Sequence, residues 1–331
     1  MKTSQTESIL VVEYQIGFSN FFMEELKSLS LGEPDPDFRI LFPGVLLIRS
    51  HAANVLKSGF VKKITLISST FESIEQIVPL PQDYGTFYVR IKDSSTCHSS
   101  QNEREIGDRL GGKGRVNFKN PDCIINAYHC GEKWYIGREI YRARSEDLQK
   151  RKAGMRPFFS PTSMDPRFAR FCVNASDTPA GGSVLDPFCG TGGMLIEAGL
   201  LNYRVIGIDI SQEMVVGSRL NLKFYGIHDY EVMRENFLEY SGELKVDSVV
   251  TDLPYGRSSS RAGIEPKTLF SQLPEKIGMV LKDNGTLILV TNTVEFLYEF
   301  EKLFNVLFIL PLRIHKSLVR YYIKMKKINI A

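Results

Sequence analysis

The stretch Val184-Leu185-Asp186-Pro187-Phe188-Cys189-Gly190-Thr191-Gly192-Gly193 constrains this chain more than any other. It reads as a buried apolar strand that runs into a glycine loop and then a helix over 194–201. Glycines let a backbone turn tightly and come close to a ligand. The helix behind them presents free N–H groups to whatever sits at its start. A loop of this kind at the carboxyl end of a strand is how an open α/β sheet holds a nucleotide-like group. No Lys-Ser/Thr pair follows the last glycine, which excludes a phosphate loop. Asp186, inside the loop, would repel a phosphate but suits a cation. S-adenosylmethionine (SAM) carries both an ammonium and a sulfonium.

A second acid stands where a ribose would need it. The run 203–209 reads as the next strand and ends in Asp209, and an acid there accepts hydrogen bonds from ribose hydroxyls. NAD enzymes share that feature, so a third segment decides between the cofactors. The strand beginning at Val246 ends in Asp252-Leu253-Pro254-Tyr255-Gly256. The Asp252 carboxylate and the Leu253 carbonyl can both accept hydrogen bonds from an exocyclic amine, and Tyr255 can stack on the ring that bears it. That is a site for holding the amine of a planar base beside a methyl donor, and an NAD-type oxidoreductase has no use for it.

Composition bounds the rest. A chain of 331 residues has room for two or three domains. No apolar run approaches the ~18 residues that span a bilayer, and Met1-Lys2-Thr3-Ser4-Gln5 lacks the form of a signal peptide. Cys97, Cys123, Cys130, Cys172 and Cys189 are odd in number and show no paired C-x-x-C spacing, which argues against a disulfide framework or a zinc site. A reducing cytoplasm is the expected setting and no metal is expected. The net charge of +3 makes no claim on nucleic acid by itself.

Along the chain, strands at 8–14, 38–42, 45–49 and 62–68, with helices at 20–29 and 51–58, follow the β-α-β-β-α-β order of a ferredoxin-like unit. Residues 1–78 are therefore expected to form a small α+β domain. Proline and glycine at 79–85 mark a boundary. A second small α+β segment over 79–140 has a strand at 86–91, a helix at 100–110 and short strands at 116–119, 123–129 and 134–140. A basic linker is expected over 141–157. Lys113 and Arg115 in a glycine turn, together with Arg138, Arg142, Arg144 and Arg156, are the candidates for RNA phosphates. From 158 to 331 the pattern is a doubly wound, mostly parallel sheet. Its strands are expected at 184–187, 203–208, 230–233, 246–251, 285–291, 304–310 and 318–325, the last two as an antiparallel hairpin. Its helices are expected at 167–175, 193–201, 211–225, 267–281 and 293–302. Asp165 is placed to cap the first of these, with Pro166 at the first helical position. Trp134 is expected in a core, and Cys189 is expected to pack rather than act as a nucleophile.

Taken together, Asp186–Gly193, Asp252–Gly256 and the preceding Arg156-Pro157-Phe158-Phe159-Ser160-Pro161-Thr162-Ser163-Met164 resemble Rossmann-fold, SAM-dependent methyltransferases joined to a THUMP domain. The nearest likeness is to the archaeal tRNA guanosine-10 N2-methyltransferase (dimethyltransferase) group. Residues 313–320 also look like that family's last strands. The resemblance implies a ferredoxin-like domain at 1–78, a THUMP RNA-binding domain at 79–140 and the methyltransferase at 158–331. It implies SAM held by Pro161, Thr162, Asp186, Phe188, Gly190, Thr191, Gly192, Asp209 and Asn236, with Glu235 the alternative register for the last. It implies catalysis by Asp252, Leu253, Pro254 and Tyr255 on the N2 amine of a guanosine flipped from tRNA. The family pattern is Asp-Pro-Pro-Tyr; Leu253 departs from it at a position where only the carbonyl is needed. The alternatives are transfer to another base amine (guanosine N2 in rRNA, or adenine N6) and a tRNA-binding protein without activity. A monomer is expected, with a small activating subunit left open.

Overall fold

The computed structural model describes residues 8–30, 38–50, 52–79, 85–93, 100–111, 116–160, 163–254 and 266–328. The chain divides into two compact units, Met1–Arg144 and Ser145–Ala331. No helix among the described residues is long and apolar enough to cross a membrane.

In the first unit the strands are β1 (Ser8–Tyr14), β2 (Phe38–Phe42), β3 (Val45–Ser50), β4 (Val61–Phe71), β5 (Phe87–Asp93), β6 (Cys123–Cys130) and β7 (Lys133–Arg142). The helices are α1 (Ser19–Leu29), α2 (Ala52–Val55) and α3 (Ser100–Gly111). The β2–β3 turn lies at Pro43-Gly44, where Gly44 takes a φ of +80°. The strands form one sheet in the order β2-β3-β1-β4-β7-β6-β5. Segments 1–78 and 79–140 thus share a sheet, because β4 pairs antiparallel with β7 from Lys63↔Arg142 to Phe71↔Trp134. Trp134 is buried with Val89, Ile106 and Ile125 beneath α3. Residues 116–119 make a single bridge, Val116 to Phe87, rather than a strand. The Asn117 side chain explains the difference: its oxygen accepts the N–H groups of Lys119 and Asn120 and turns the backbone away. Part of the expected linker is also regular, since β7 runs to Arg142 and a helix, α4 (Ser145–Gln149), opens the second unit.

The second unit holds β8 (Ser183–Asp186), β9 (Arg204–Asp209), β10 (Tyr230–Arg234), β11 (Val246–Asp252), β12 (Leu281–Thr291), β13 (Phe304–His315) and β14 (Leu318–Lys327). Its further helices are α5 (Pro166–Ala175), α6 (Gly193–Gly199), α7 (Gln212–Phe224), α8 (Pro266–Val280) and α9 (Leu297–Phe300). The sheet order is β10-β9-β8-β11-β12-β14-β13. Strands β8 to β12 pair in parallel, and β14 is inserted antiparallel between β12 and β13. The chain winds outward from β8 to β10 and then returns to β11 on the other side of β8. Loops leaving β8 and β11 therefore part at their carboxyl ends, which is where such sheets bind ligands. Asp165 caps α5 as expected, its carboxylate accepting the Arg167 N–H at 2.9 Å. The helix expected over 293–302 is reduced to α9. The Thr291 and Thr293 hydroxyls take the N–H groups of Thr293 and Glu295 first, which offers the backbone an alternative to helix.

Candidate active site

Asp186, Asp209 and Asp252 close β8, β9 and β11. Asp186 is 3% exposed. Its Oδ1 accepts from the Thr251 hydroxyl at 2.7 Å and from the Phe188 N–H at 3.2 Å. Burial pushes its carboxyl up from an ordinary 3.8 to about 7, against those two hydrogen bonds and with the repulsion of Asp252 and Asp209 behind it. A buried acid in this condition gains more from an added cation than an exposed one would.

The glycine loop between β8 and α6 runs through Gly190 at φ +50° and Gly192 at φ +79°, the left-handed region that glycine enters without penalty. A Cβ on Gly192 would lie 2.5 Å from the Ser218 hydroxyl of α7. Asp209 ties this loop to the neighbouring strand: Oδ2 accepts the Gly190 N–H at 2.9 Å and Oδ1 the Ser211 N–H at 2.8 Å. Burial raises its carboxyl above the ordinary range and the two backbone bonds hold it back. A carboxylate offers about four acceptor positions, so Asp209 keeps room for the hydroxyl donors of a ribose. Phe188 packs edge-on against Phe237, with ring centroids 6.3 Å apart. Thr191 is buried, and its hydroxyl lies 3.0 Å from that of Ser163. Cys189 is buried too, and burial pushes its thiol well up, which suits packing and not nucleophilic attack.

The segment before α5 is fastened over α7. Asn221 accepts the Phe158 N–H at 3.0 Å and donates to the Phe158 carbonyl at 2.7 Å and the Thr191 carbonyl at 2.9 Å. The Phe158 ring lies on Gly217, where a Cβ would come within 2.0 Å of Cδ1. Gly217→Ala is therefore expected to displace Phe158 and cost about 1–3 kcal/mol. Denaturant unfolding would read that loss, and a SAM titration on the same variant should show weakened binding as Thr191 loses its support.

Asp252 is half-buried, and its Oδ1 is closed off from solvent without a hydrogen-bond partner among the described residues. Its Oδ2 lies 3.4 Å from the Arg320 guanidinium. Burial raises its carboxyl to about 6, and the Arg320 charge opposes the rise. Leu253 donates its N–H to the Val290 carbonyl at 2.9 Å and buries its side chain among Leu185, Val249 and Leu289. Leucine thus supplies an N–H that extends the β11–β12 ladder, which a proline at this position would lack. Pro254 follows, half-buried. Tyr255, Pro161, Thr162, Lys113 and Arg115 lie outside the described residues.

Asn236 and Arg156 each have local partners. Asn236 spends its amide locally: Oδ1 accepts the Leu238 N–H at 3.2 Å and Nδ2 donates to Glu239 at 2.9 Å, capping the short turn Phe237–Glu239. Glu235 is exposed, with its N–H bonded to the Asp209 carbonyl. Arg156, expected at RNA phosphates, is 5% exposed. Its Nε donates to the Arg151 carbonyl at 3.0 Å, and Nη1 would lie 3.3 Å from a Cβ on Gly193. A guanidinium so enclosed supports the start of α6 and cannot reach a phosphate. Nearby, Glu197 is fully buried between Arg151 at 2.7 Å and Arg170 at 2.8 Å. Of the other arginines, Arg138, Arg142 and Arg144 are exposed on the first unit. Arg142 already holds Glu139 through two hydrogen bonds of 2.7 Å. Thr251, Asn221 and Arg320 were not anticipated; a polar side chain in the interior of α7 is the one signal that could have revealed Asn221.

The chain is similar to known methyltransferases. The RMKL-like methyltransferase domain model matches residues 153–307. The tRNA (guanine(10)-N2)-dimethyltransferase of Pyrococcus abyssi is 38% identical over 255 residues, covering 73% of this chain and 74% of the relative. That of Methanothermobacter thermautotrophicus is 36% identical over 207 residues, 62% of each chain, so this match spans less than two thirds of that relative's length. The crystal structure of TrmN from Thermus thermophilus superposes with a TM-score of 0.56 at 19% identity, covering 97% of this chain and 99% of that one, and so shares the fold.

Proposed function

This chain belongs to the tRNA (guanine(10)-N2)-dimethyltransferase family, and from that premise we propose that it methylates the exocyclic N2 of a guanosine in tRNA, at position 10, with SAM as the methyl donor. The observation that carries the reading is Asp252: a carboxylate at the switch point of the sheet with one buried oxygen, Oδ1, lacking a partner among the described residues. When bound, SAM supplies an electrophilic methyl on a sulfonium, and the structure offers it a fitting cradle. Asp186 would meet its ammonium, the loop Gly190–Gly192 lets the backbone approach it, and Asp209 would accept from its ribose.

The protein's own part is placement. The N2 amine is a poor nucleophile because its lone pair is delocalised into the ring. Asp252 Oδ1 and the Leu253 carbonyl accept hydrogen bonds from its two N–H groups and favour a more pyramidal nitrogen turned toward the donor. A carboxyl lifted to about 6 is still mostly ionised at neutral pH, and it takes a proton more readily than an ordinary aspartate. Asp252 thus serves as acceptor first and as proton sink second. The target base must leave its stack to reach this site, and Tyr255 replaces part of the lost stacking. In the first unit, residues 1–78 serve as a ferredoxin-like domain and 79–140 as a THUMP domain, with Arg138, Arg142 and Arg144 on tRNA phosphates. Cys123, Cys130, Cys172 and Cys189 form no disulfide among the described residues, and a reducing, cytoplasmic setting is part of this reading.

The test is methyl transfer from labelled SAM to an unmodified tRNA transcript, with product nucleosides identified and mapped. N2-methylguanosine or its dimethyl form at position 10 is expected. N6-methyladenosine, or SAM binding without transfer to any tRNA, would overturn the reading.

A further inference from the structure

Strand β14 brings a charge to the site from far along the chain. Asp252 sits opposite Val290 in the β11–β12 pair, and Val290 sits opposite Tyr322 in the β12–β14 pair. One row thus crosses three strands. Because β14 runs antiparallel to the rest, its early residues lie at the carboxyl ends of the parallel strands. Arg320, two residues before Tyr322, leaves the same face one pleat closer to the site. Its side chain is only 11% exposed, and its guanidinium lies 3.4 Å from Asp252 Oδ2. Tyr322 is fully buried and holds the strand in place, with ring centroids 5.6 Å from Phe168 and 6.1 Å from Phe171.

We propose that Arg320 is a positioning residue for the transfer: it takes Oδ2 of Asp252 and leaves Oδ1 turned, as an anionic acceptor, toward the substrate amine. The inference rests on the reading of Asp252 given above. Burial raises the Asp252 carboxyl and the Arg320 charge from β14 opposes it, while Asp252 in turn bears on Asp186 of β8 and Tyr322 of β14. Arg320 is the cation among them. Without it, burial would favour the protonated acid. A protonated Oδ1 would donate a hydrogen bond where the amine, itself a donor, needs an acceptor. Free rotation of the carboxylate would also let either oxygen face the amine and blur its orientation.

The experiment compares the full-length wild type with Arg320→Met, Arg320→Gln and Arg320→Lys, measuring single-turnover transfer to tRNA transcript at saturating SAM across a range of pH. In the wild type the acidic limb reports Asp252 in the bound enzyme. In the two neutral variants it should move up by about one pH unit or more, with transfer at neutral pH down about tenfold and largely recovered at alkaline pH. Lysine should return most of the limb. SAM affinity should change far less than transfer, because the Arg320 guanidinium pairs with Asp252, whereas the acids assigned to the cofactor are Asp186 and Asp209. A uniform loss with an unmoved limb, or no loss, would overturn the proposal. If arginine to methionine prevents folding, the glutamine variant, which keeps a hydrogen-bond donor but not the charge, decides the matter alone. A wild type that methylates no guanosine would remove the functional reading; an active wild type with unmoved variant limbs would remove only the role of Arg320.

Discussion

Asp252→Ala should lower methyl transfer by at least about a hundredfold while leaving SAM binding intact. The carboxylate lies at the end of β11, beyond the glycine loop, and its Oδ1 has no partner among the described residues to compensate for its removal. Alanine removes the acceptor for the amine, the proton sink and the charge that faces Arg320. Asp252→Asn keeps an acceptor oxygen but loses the charge, so its activity should fall between wild type and alanine. Single-turnover transfer at saturating SAM measures both variants, with a SAM titration as the control. An alanine variant within a factor of a few of wild type would mean that the amine is held elsewhere.

Asp186→Asn should produce the second large effect, in two opposite directions. SAM affinity should fall by about tenfold to a hundredfold, because a buried charge-assisted contact to the ammonium is replaced by a neutral one. The ligand-free protein should become more stable above pH 7. The sign follows from the carboxyl's rise from 3.8 to about 7. Between those values the folded protein binds a proton that the unfolded chain has released, so this group's contribution falls as pH rises through that window and stays low above it. Asparagine keeps an oxygen for Thr251 and Phe188 and removes the buried charge. Thermal melts at about pH 5 and pH 8 would show the difference between wild type and variant growing with pH. The same linkage makes wild-type SAM affinity drop below about pH 7, where the carboxyl must first lose its proton. Equal melting behaviour at both pH values would mean that Asp186 is not strained by burial.

Much of this site is written in contiguous segments. A strand, a left-handed glycine loop and an acid within ten residues are local chemistry, because backbone freedom at Gly190 and Gly192 and the acid at Asp186 do not depend on distant partners. The same holds for Asp209 at the end of β9, Asp252 at the end of β11 and the Asp165 cap of α5, each set by its own strand or helix end. The alternation of strands and helices also specifies the parallel sheet and its closing hairpin.

What the tertiary structure alone decided are the pairings between segments far apart in the chain. Period-2 alternation tells which side of a strand a residue takes, but not which strand will lie beside it. Only the insertion of β14 beside β12 carries Arg320 to Asp252, and only the β11–β12 ladder gives the Leu253 N–H its use. Arg156 sits in a basic stretch that reads as solvated, yet the packing of α6 encloses it. Residues 116–119 and the short α9 depart from the sequence pattern for a different reason: Asn and Thr side chains that bond nearby backbone outweigh a weak propensity. Sequence by itself determined the chemistry at each strand end; long-range packing determined which charges those ends face.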